Sequence, residues 1–160
     1  MQAYQSSSIT ARSLCALSAA KKHQMKKQRI STTVKAQEFI ATDKAPAAAG
    51  PYSQGIKSGG LLYTCGCVAF VPETMEIVEG GIEAETRQAL TNMGEILKAG
   101  GSDFSKVVKT TIFITNMADF PKVNAIYSEF FNTPGPARST VGVASLPKGG
   151  LIEIDAIAEC

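Results

Sequence analysis

"KVVKTTIFIT", residues 106–115, is the stretch that decides the fold. It is crowded with Val, Ile, Thr and Phe, the residue types that fit a pleated, half-buried surface, so it reads as a strand. Just beyond it, Phe120, Val123, Ile126, Tyr127 and Phe130 recur at helical spacing, which predicts a helix over 118–131. "NTPGP" at 132–136 ends that helix, because proline restricts the residue before it and cannot continue the turn. Two more β-rich runs follow at 138–146 and 151–158, joined by "PKGG".

Upstream, Ile82, Thr86, Ala89, Leu90, Met93, Ile96 and Leu97 form the clearest helical stripe, with Glu83, Glu85, Arg87 and Lys98 off it. Gly100 and Gly101 stop this helix of about 82–98. "GLLYTCGCVAFV" at 60–71 has the content of a buried strand, and Gly66 inside it permits a bulge or a close backbone approach. Residues 38–60 read as a short strand and then "APAAAGPYSQGIKSGG", an extended segment paced by Pro and Gly. The order β-β-(β)-α-β-α-β-β gives an α+β fold, a mixed sheet of five or six strands with two helices packed on one face. A chain of 160 residues supports one such domain.

Two helices on one face leave the other sheet face bare. Strands as apolar as these should not leave a whole face wet, which predicts that other copies of the chain bury it. The competing reading is that Lys109, Thr111 and Ser139 make that face polar enough.

Charge divides the chain sharply. Residues 1–37 hold seven of the 16 basic residues and no acid, whereas from Glu38 onward nine basic face 14 acidic residues, a net of −5. The basic, acid-free, Ser- and Thr-rich leader has the composition of an organelle transit peptide; a basic nucleic-acid arm is the alternative. Abundant Ser and scarce Arg favour a chloroplast over a mitochondrion. The expected organisation is a disordered transit peptide at 1–36 and a domain at 37–160. No apolar run is long enough to span a membrane.

Of four cysteines, Cys15 lies in the leader, leaving Cys65, Cys67 and Cys160, an odd number that indicates no disulfide framework. On a regular strand Cys65 and Cys67 would share a face. The only histidine, His23, is also in the leader, so the domain has too few ligands for a metal site and no Ser-His or Cys-His nucleophile.

Arg138 and Glu153 are the charged residues at the most apolar addresses. Arg138 heads a run that reads as buried, where a guanidinium wants an anion. Glu153 shares a strand face with Asp155, and from periodicity alone a solvent-facing position is its default reading. If 138–146 and 151–158 form a hairpin, the two lie roughly 15–20 Å apart, too far to share a small substrate within one chain. Asn124 and Tyr127 fall on one helix face, with core packing the default for Tyr127. Tyr52, after Gly-Pro, reads as a loop residue that folds into the core or into the wall of a pocket.

Together, "APAAAGPYSQ" at 45–54, "VVKTTIFITNMADFPKVNAIYSEFF" at 107–131, "PARSTV" at 136–141 and "LPKGGLIEIDAIA" at 146–158 resemble the RidA, or YjgF, family in order and spacing. "PETMEI" and "NMGEILKAGG" look like its plastid-targeted plant and algal members. The resemblance implies chorismate-mutase-like subunits in a homotrimer with clefts between neighbours. It also implies hydrolysis of 2-imino and enamine acids, such as 2-iminobutanoate and 2-iminopropanoate, released by pyridoxal-dependent dehydratases, to 2-oxo acids and ammonia. No cofactor or metal is implied, and the partners are the small imine substrate and further copies of the chain, without nucleic acid or membrane.

Carried over residue by residue, the resemblance makes Arg138 the holder of the substrate carboxylate and Glu153 the residue that positions the attacking water. Tyr52, Cys65, Gly66, Asn124, Tyr127 and Thr140 would line the cleft. Cys65 stands where the family usually has Ser, and Thr140 where many members have Cys, which bears on substrate preference. Two rival functions, a holdase chaperone and an RNA-directed endoribonuclease or translation inhibitor, also occur in relatives; the net −5 of the domain argues against the second.

Overall fold

The computed structural model describes residues 36–160, so the leader expected at 1–36 lies outside it save for its last residue. The elements are β1 (Glu38–Ile40), β2 (Gly55–Ser58), β3 (Leu61–Thr64), β4 (Cys67–Val68), α1 (Gly81–Ala99), β5 (Val107–Ile114), α2 (Phe120–Phe130), β6 (Ala137–Gly142) and β7 (Ile152–Glu159). They build one mixed sheet in the order β1-β2-β3-β7-β5-β6, with β4 also paired to β7. Every pairing is antiparallel except β5 with β6, whose parallel alignment α2 makes possible by carrying the chain back over the sheet.

Both helices cover the same sheet face, as the α+β reading expects. Leu90, Met93 and Leu97 of α1 and Val123 of α2 meet Leu62, Ile112, Ile114, Ile152 and Ile154 from the sheet, all fully buried. Burying each such side chain contributes about 1.5–3 kcal/mol. Strand β7 shows the pattern most clearly. Ile152, Ile154, Ala156 and Ala158 lie under the helices, while Glu153, Asp155 and Ile157 alternate on the opposite, open face.

The expected hairpin of 138–146 with 151–158 does not form. "PKGG" instead makes a tight turn at Pro147–Gly149, with Lys148 in the left-handed region at φ 52°, and the chain passes β5. β7 then inserts between β3 and β5, the central position that an apolar strand with both edges paired requires. β6 remains an edge strand, ends at Gly142 and is largely exposed, so Arg138 is not buried in the way its neighbours suggested.

The strand expected over 60–71 is interrupted. Tyr63 pairs with Ile157, yet Cys67 pairs with Ile154, so one extra residue is inserted between them. This is a β-bulge, and it reverses the alternation. Cys67 therefore joins Ile154 on the core side, whereas Cys65 stays at the open side, and the expectation that both share a face fails. The sheet counts seven strands because this one is split in two.

The open face carries Phe39, Tyr63 and Val141, exposed to 68%, 42% and 45%, beside half-buried Ile56, Phe113 and Ile157. Lys109 also sits there and donates to Ser139 Oγ at 2.7 Å. The face is thus mixed, but its apolar content exceeds what scattered surface residues need.

Candidate functional site

The bulge builds the first half of the site. With no Cβ on Gly66, its backbone lies directly against the Glu153 carboxylate; a Cβ there would overlap Oε1. Glu153 is half-buried and accepts no hydrogen bond among the described residues. Burial, and secondarily the like charge of Asp155 on the same face, push its carboxyl above the usual range. A groove of about 1020 Å³ runs over this part of the open face, lined by Tyr52, Cys65, Gly66, Phe70, Lys148 and Glu153 among others.

Supporting contacts fix that groove. Asn92, buried in α1, donates to the carbonyls of Val68 (3.0 Å) and Phe70 (2.8 Å) and so anchors the strand beyond the bulge. Gln54, also buried, donates to the Thr42, Ala45 and Pro46 carbonyls and accepts from Thr42 N, which fastens the segment bearing Tyr52. The Tyr52 hydroxyl accepts from Ala49 N at 3.1 Å. Glu85 of α1 accepts from Leu151 N at 2.7 Å, tying down the entry to β7 two residues before Glu153.

The second half lies at the other edge. Arg138 lies level with Thr110 in the parallel β5–β6 register and therefore on the helix side of the sheet. Its guanidinium carbon stands 4.7 Å from the Tyr127 ring centre and 5.5 Å from that of Phe120, and it makes no ion pair among the described residues. Stacking on two rings holds the planar fork open to solvent, ready for an anion. Tyr127 is braced by a 2.8 Å hydrogen bond between its hydroxyl and Thr110 Oγ1. Burial raises its phenol, while that hydrogen bond and the Arg138 charge oppose the rise. Asn124 lines the same hollow of about 430 Å³, and its buried Oδ1 has no hydrogen-bond partner among the described residues. Thr140 follows Arg138 on the same strand face, half-buried, but does not line this hollow.

The residues singled out in the sequence thus fall into two groups: Tyr52, Cys65, Gly66 and Glu153 in the groove, Asn124, Tyr127 and Arg138 in the hollow. Glu153 is level with Phe113 and Arg138 with Thr110, three residues along and two strands across. That is roughly 10 Å in each direction, on opposite sheet faces. One chain cannot present both to a small molecule. The conclusion drawn from the hairpin holds, although the hairpin does not exist.

Sequence reasoning missed three residues. Phe120 counted only as core, Thr110 carried no mark within a strand, and Lys148 passed as part of a turn. Lys148 in fact donates to Met75 O (2.8 Å) and Glu76 Oε1 (2.9 Å) and closes one end of the groove. Among the described residues no cluster of His, Cys, Asp or Glu is placed to hold a metal.

The family model described as Endoribonuclease L-PSP matches residues 42–160. The chain is 50% identical to Reactive Intermediate Deaminase A, chloroplastic, of Arabidopsis thaliana over 129 residues, 81% of this chain and 69% of that protein. It is 49% identical to the human 2-iminobutanoate/2-iminopropanoate deaminase over 119 residues, 74% of this chain and 87% of that protein. Among solved structures, E. coli TdcF with bound serine superposes with a TM-score of 0.73 at 38% identity, covering 77% of this chain and 98% of that one.

Proposed function

The chain belongs to the Endoribonuclease L-PSP family, the RidA family its motifs resemble, and from that premise we propose how its two half-sites work. It is an imine and enamine deaminase, a hydrolase acting on C–N bonds of 2-iminobutanoate and 2-iminopropanoate. The observation that carries the mechanism is the Glu153 carboxylate, half-buried, without a hydrogen-bond partner among the described residues and pressed on the Gly66 backbone. A carboxylate left free in this way is suited to hold a water.

Glu153 accepts a proton as that water adds to C2 of the substrate, forming the C–O bond and moving the C=N electron pair to nitrogen. The proton then passes to nitrogen, and the carbinolamine collapses to 2-oxo acid and ammonia. Arg138 holds the substrate carboxylate in a bidentate pair, with Asn124 and Tyr127 around it and Thr140 further along the same strand face. Tyr52, Cys65 and Gly66 frame the imine carbon. Because such imines already hydrolyse in water, positioning accounts for most of what the protein must supply.

For Arg138 of one chain to meet Glu153 of another, the β6 edge of one chain must seat against the open face of its neighbour, where the apolar residues Phe39, Tyr63 and Val141 favour contact. A closed homotrimer with three shared clefts is the assembly we propose. Plastid import is the proposed role of the basic leader, in line with the chloroplastic relative. Cleavage of RNA has weaker support, since 14 acidic residues oppose nine basic ones from Glu38 onward.

The test adds the protein or its Arg138→Ala variant to a threonine dehydratase reaction while semicarbazide competes for the imine. Faster 2-oxobutanoate release with the parent protein and none with the variant is the expected result. No acceleration by either overturns the assignment for this substrate.

A further inference from the structure

Thr64 lines the Glu153 groove, half-buried beside Cys65 and Gly66, and the hydrolytic mechanism leaves it without a task. It is the last residue of β3. β3 and β7 run in register as far as Tyr63 opposite Ile157, and the same register would set Thr64 opposite Ala156. The ladder stops there and resumes at Cys67 opposite Ile154, one residue having been inserted. Ala156 is 2% exposed, so its N–H needs a partner inside the protein. That partner is a side chain, for Ala156 N donates to Thr64 Oγ1 at 2.9 Å.

The bulge is therefore held from three directions. On the side of β2, Cys65 N donates to the Gln54 carbonyl at 2.8 Å. From α1, Asn92 holds the carbonyls of Val68 and Phe70. Of the three, the Thr64 bond alone ties the segment to β7, the strand that bears Glu153. It lies two residues from Gly66 on one strand and three from Glu153 on the other, so it sets the gap in which that carboxylate meets the glycine backbone.

We infer that Thr64 is a positioning residue for the reaction: its hydroxyl oxygen, bonded by Ala156 N, holds the bulge at the spacing that keeps Gly66 against the Glu153 carboxylate. The kinetic consequence rests on the deaminase reading; the hydrogen bond does not. Valine has the shape of threonine without its oxygen, so Thr64→Val isolates the bond from the β-branch. In that variant the Ala156 N–H is left to take a water into the gap. The carboxylate then gains hydration, which relieves burial, the first of the influences that raise its carboxyl. The other titratable groups around it stay as they are: Asp155 on β7, Cys65 and Cys67 on the bulge, Lys148 at the end of the groove and Lys109 on β5.

The test compares Thr64→Val and Thr64→Ser with the parent in the full-length protein. In Thr64→Val, kcat for imine hydrolysis should fall about tenfold, the scale of a small misplacement, with KM little changed because Arg138 is untouched. The acidic limb of its pH–rate profile should move to lower pH, and amide hydrogen exchange at Ala156 should speed up. Thr64→Ser, which keeps the oxygen, should rescue all three. Should Thr64→Val fail to fold, Thr64→Cys, whose sulfur is a weaker acceptor, should give the same changes in smaller size. Parental kcat and an unmoved limb in Thr64→Val overturn the inference. So does a lower kcat with the limb unmoved, which marks loss of folded protein alone, and so does equal impairment of the valine and serine variants. If the parent protein hydrolyses no imine, the deaminase reading fails, while exchange at Ala156 still decides whether Thr64 holds the bulge.

Discussion

The groove at Glu153 and the hollow at Arg138 solve opposite electrostatic problems. Glu153 is half-buried beside a second carboxylate, and both influences disfavour its charge. Arg138 is exposed and rests on two aromatic rings, which leave its charge hydrated yet fix its plane. The first region suits a group that exchanges a proton, and the second suits a group that never gives its proton up. Lying on opposite faces of one sheet, they cannot act on one substrate unless two chains meet.

The contrast predicts different kinetic signatures for the two halves. Glu153→Gln should lower kcat about 10²-fold or more, the usual weight of general acid–base catalysis, with KM little changed. Arg138→Ala should instead raise KM about 10²-fold, the loss of charge-assisted hydrogen bonds of about 1.5–3 kcal/mol each. Steady-state kinetics on the imine separates these outcomes. A kcat loss in both would mean that the arginine also stabilises charge in the transition state, and the division between the halves would fail.

Gly66→Ala probes the contact that joins the bulge to the Glu153 carboxylate. Its new Cβ would occupy the place of Glu153 Oε1, so the carboxylate must move. A shift of that kind should lower kcat about tenfold or more while far-ultraviolet circular dichroism stays unchanged, since misplacement of about 1 Å is enough to cost that much. An unaltered kcat would show that the carboxylate works from another position.

Complementation between chains is the next effect in size. Glu153→Gln and Arg138→Ala variants, each strongly impaired at substrate concentrations well below KM, should regain activity there after unfolding together and refolding. Random assortment around the proposed ring makes roughly one site in four intact, because the same interface would recur head to tail. Recovery near zero would place both residues of each site in one chain and contradict the sheet geometry.

Much of this arrangement was legible in the sequence, and the exceptions share a cause. The helices read correctly because α1 and α2 each place one apolar stripe against a single sheet face, a local periodicity. Pairing did not, since β6 and β7 are neighbours in sequence but are separated in space by β5. No local pattern distinguishes a hairpin from an insertion when both segments are apolar. The bulge was anticipated only as something Gly66 permits; its consequence, the turning of Cys67 into the core, depends on the register against β7. Arg138 and Glu153 were found by chemistry, as charges in apolar runs. Phe120 and Thr110 were not, because an aromatic ring or a threonine among others gives no sign that it braces an arginine.

The smallest effect concerns the charge next to Glu153. Burial raises the Glu153 carboxyl most, and Asp155 raises it further, so Asp155→Asn should lower it only in part. If Glu153 must be ionised to take a proton from water, activity rises with pH through that group's titration, and the acidic limb of the pH–rate profile should move to lower pH in Asp155→Asn. Stability carries the opposite sign to that of a salt-bridged carboxylate. With the folded pKa above the unfolded one, the folded state holds more protons in the interval between them, so stability falls as pH rises through that interval. Denaturation of Glu153→Gln against pH should therefore show a gain over the parent protein above the interval and no gain below it. A Glu153→Gln variant less stable than the parent protein above that interval would mean that a partner group, supplied from a neighbouring chain, favours the charged form of Glu153 in the assembly.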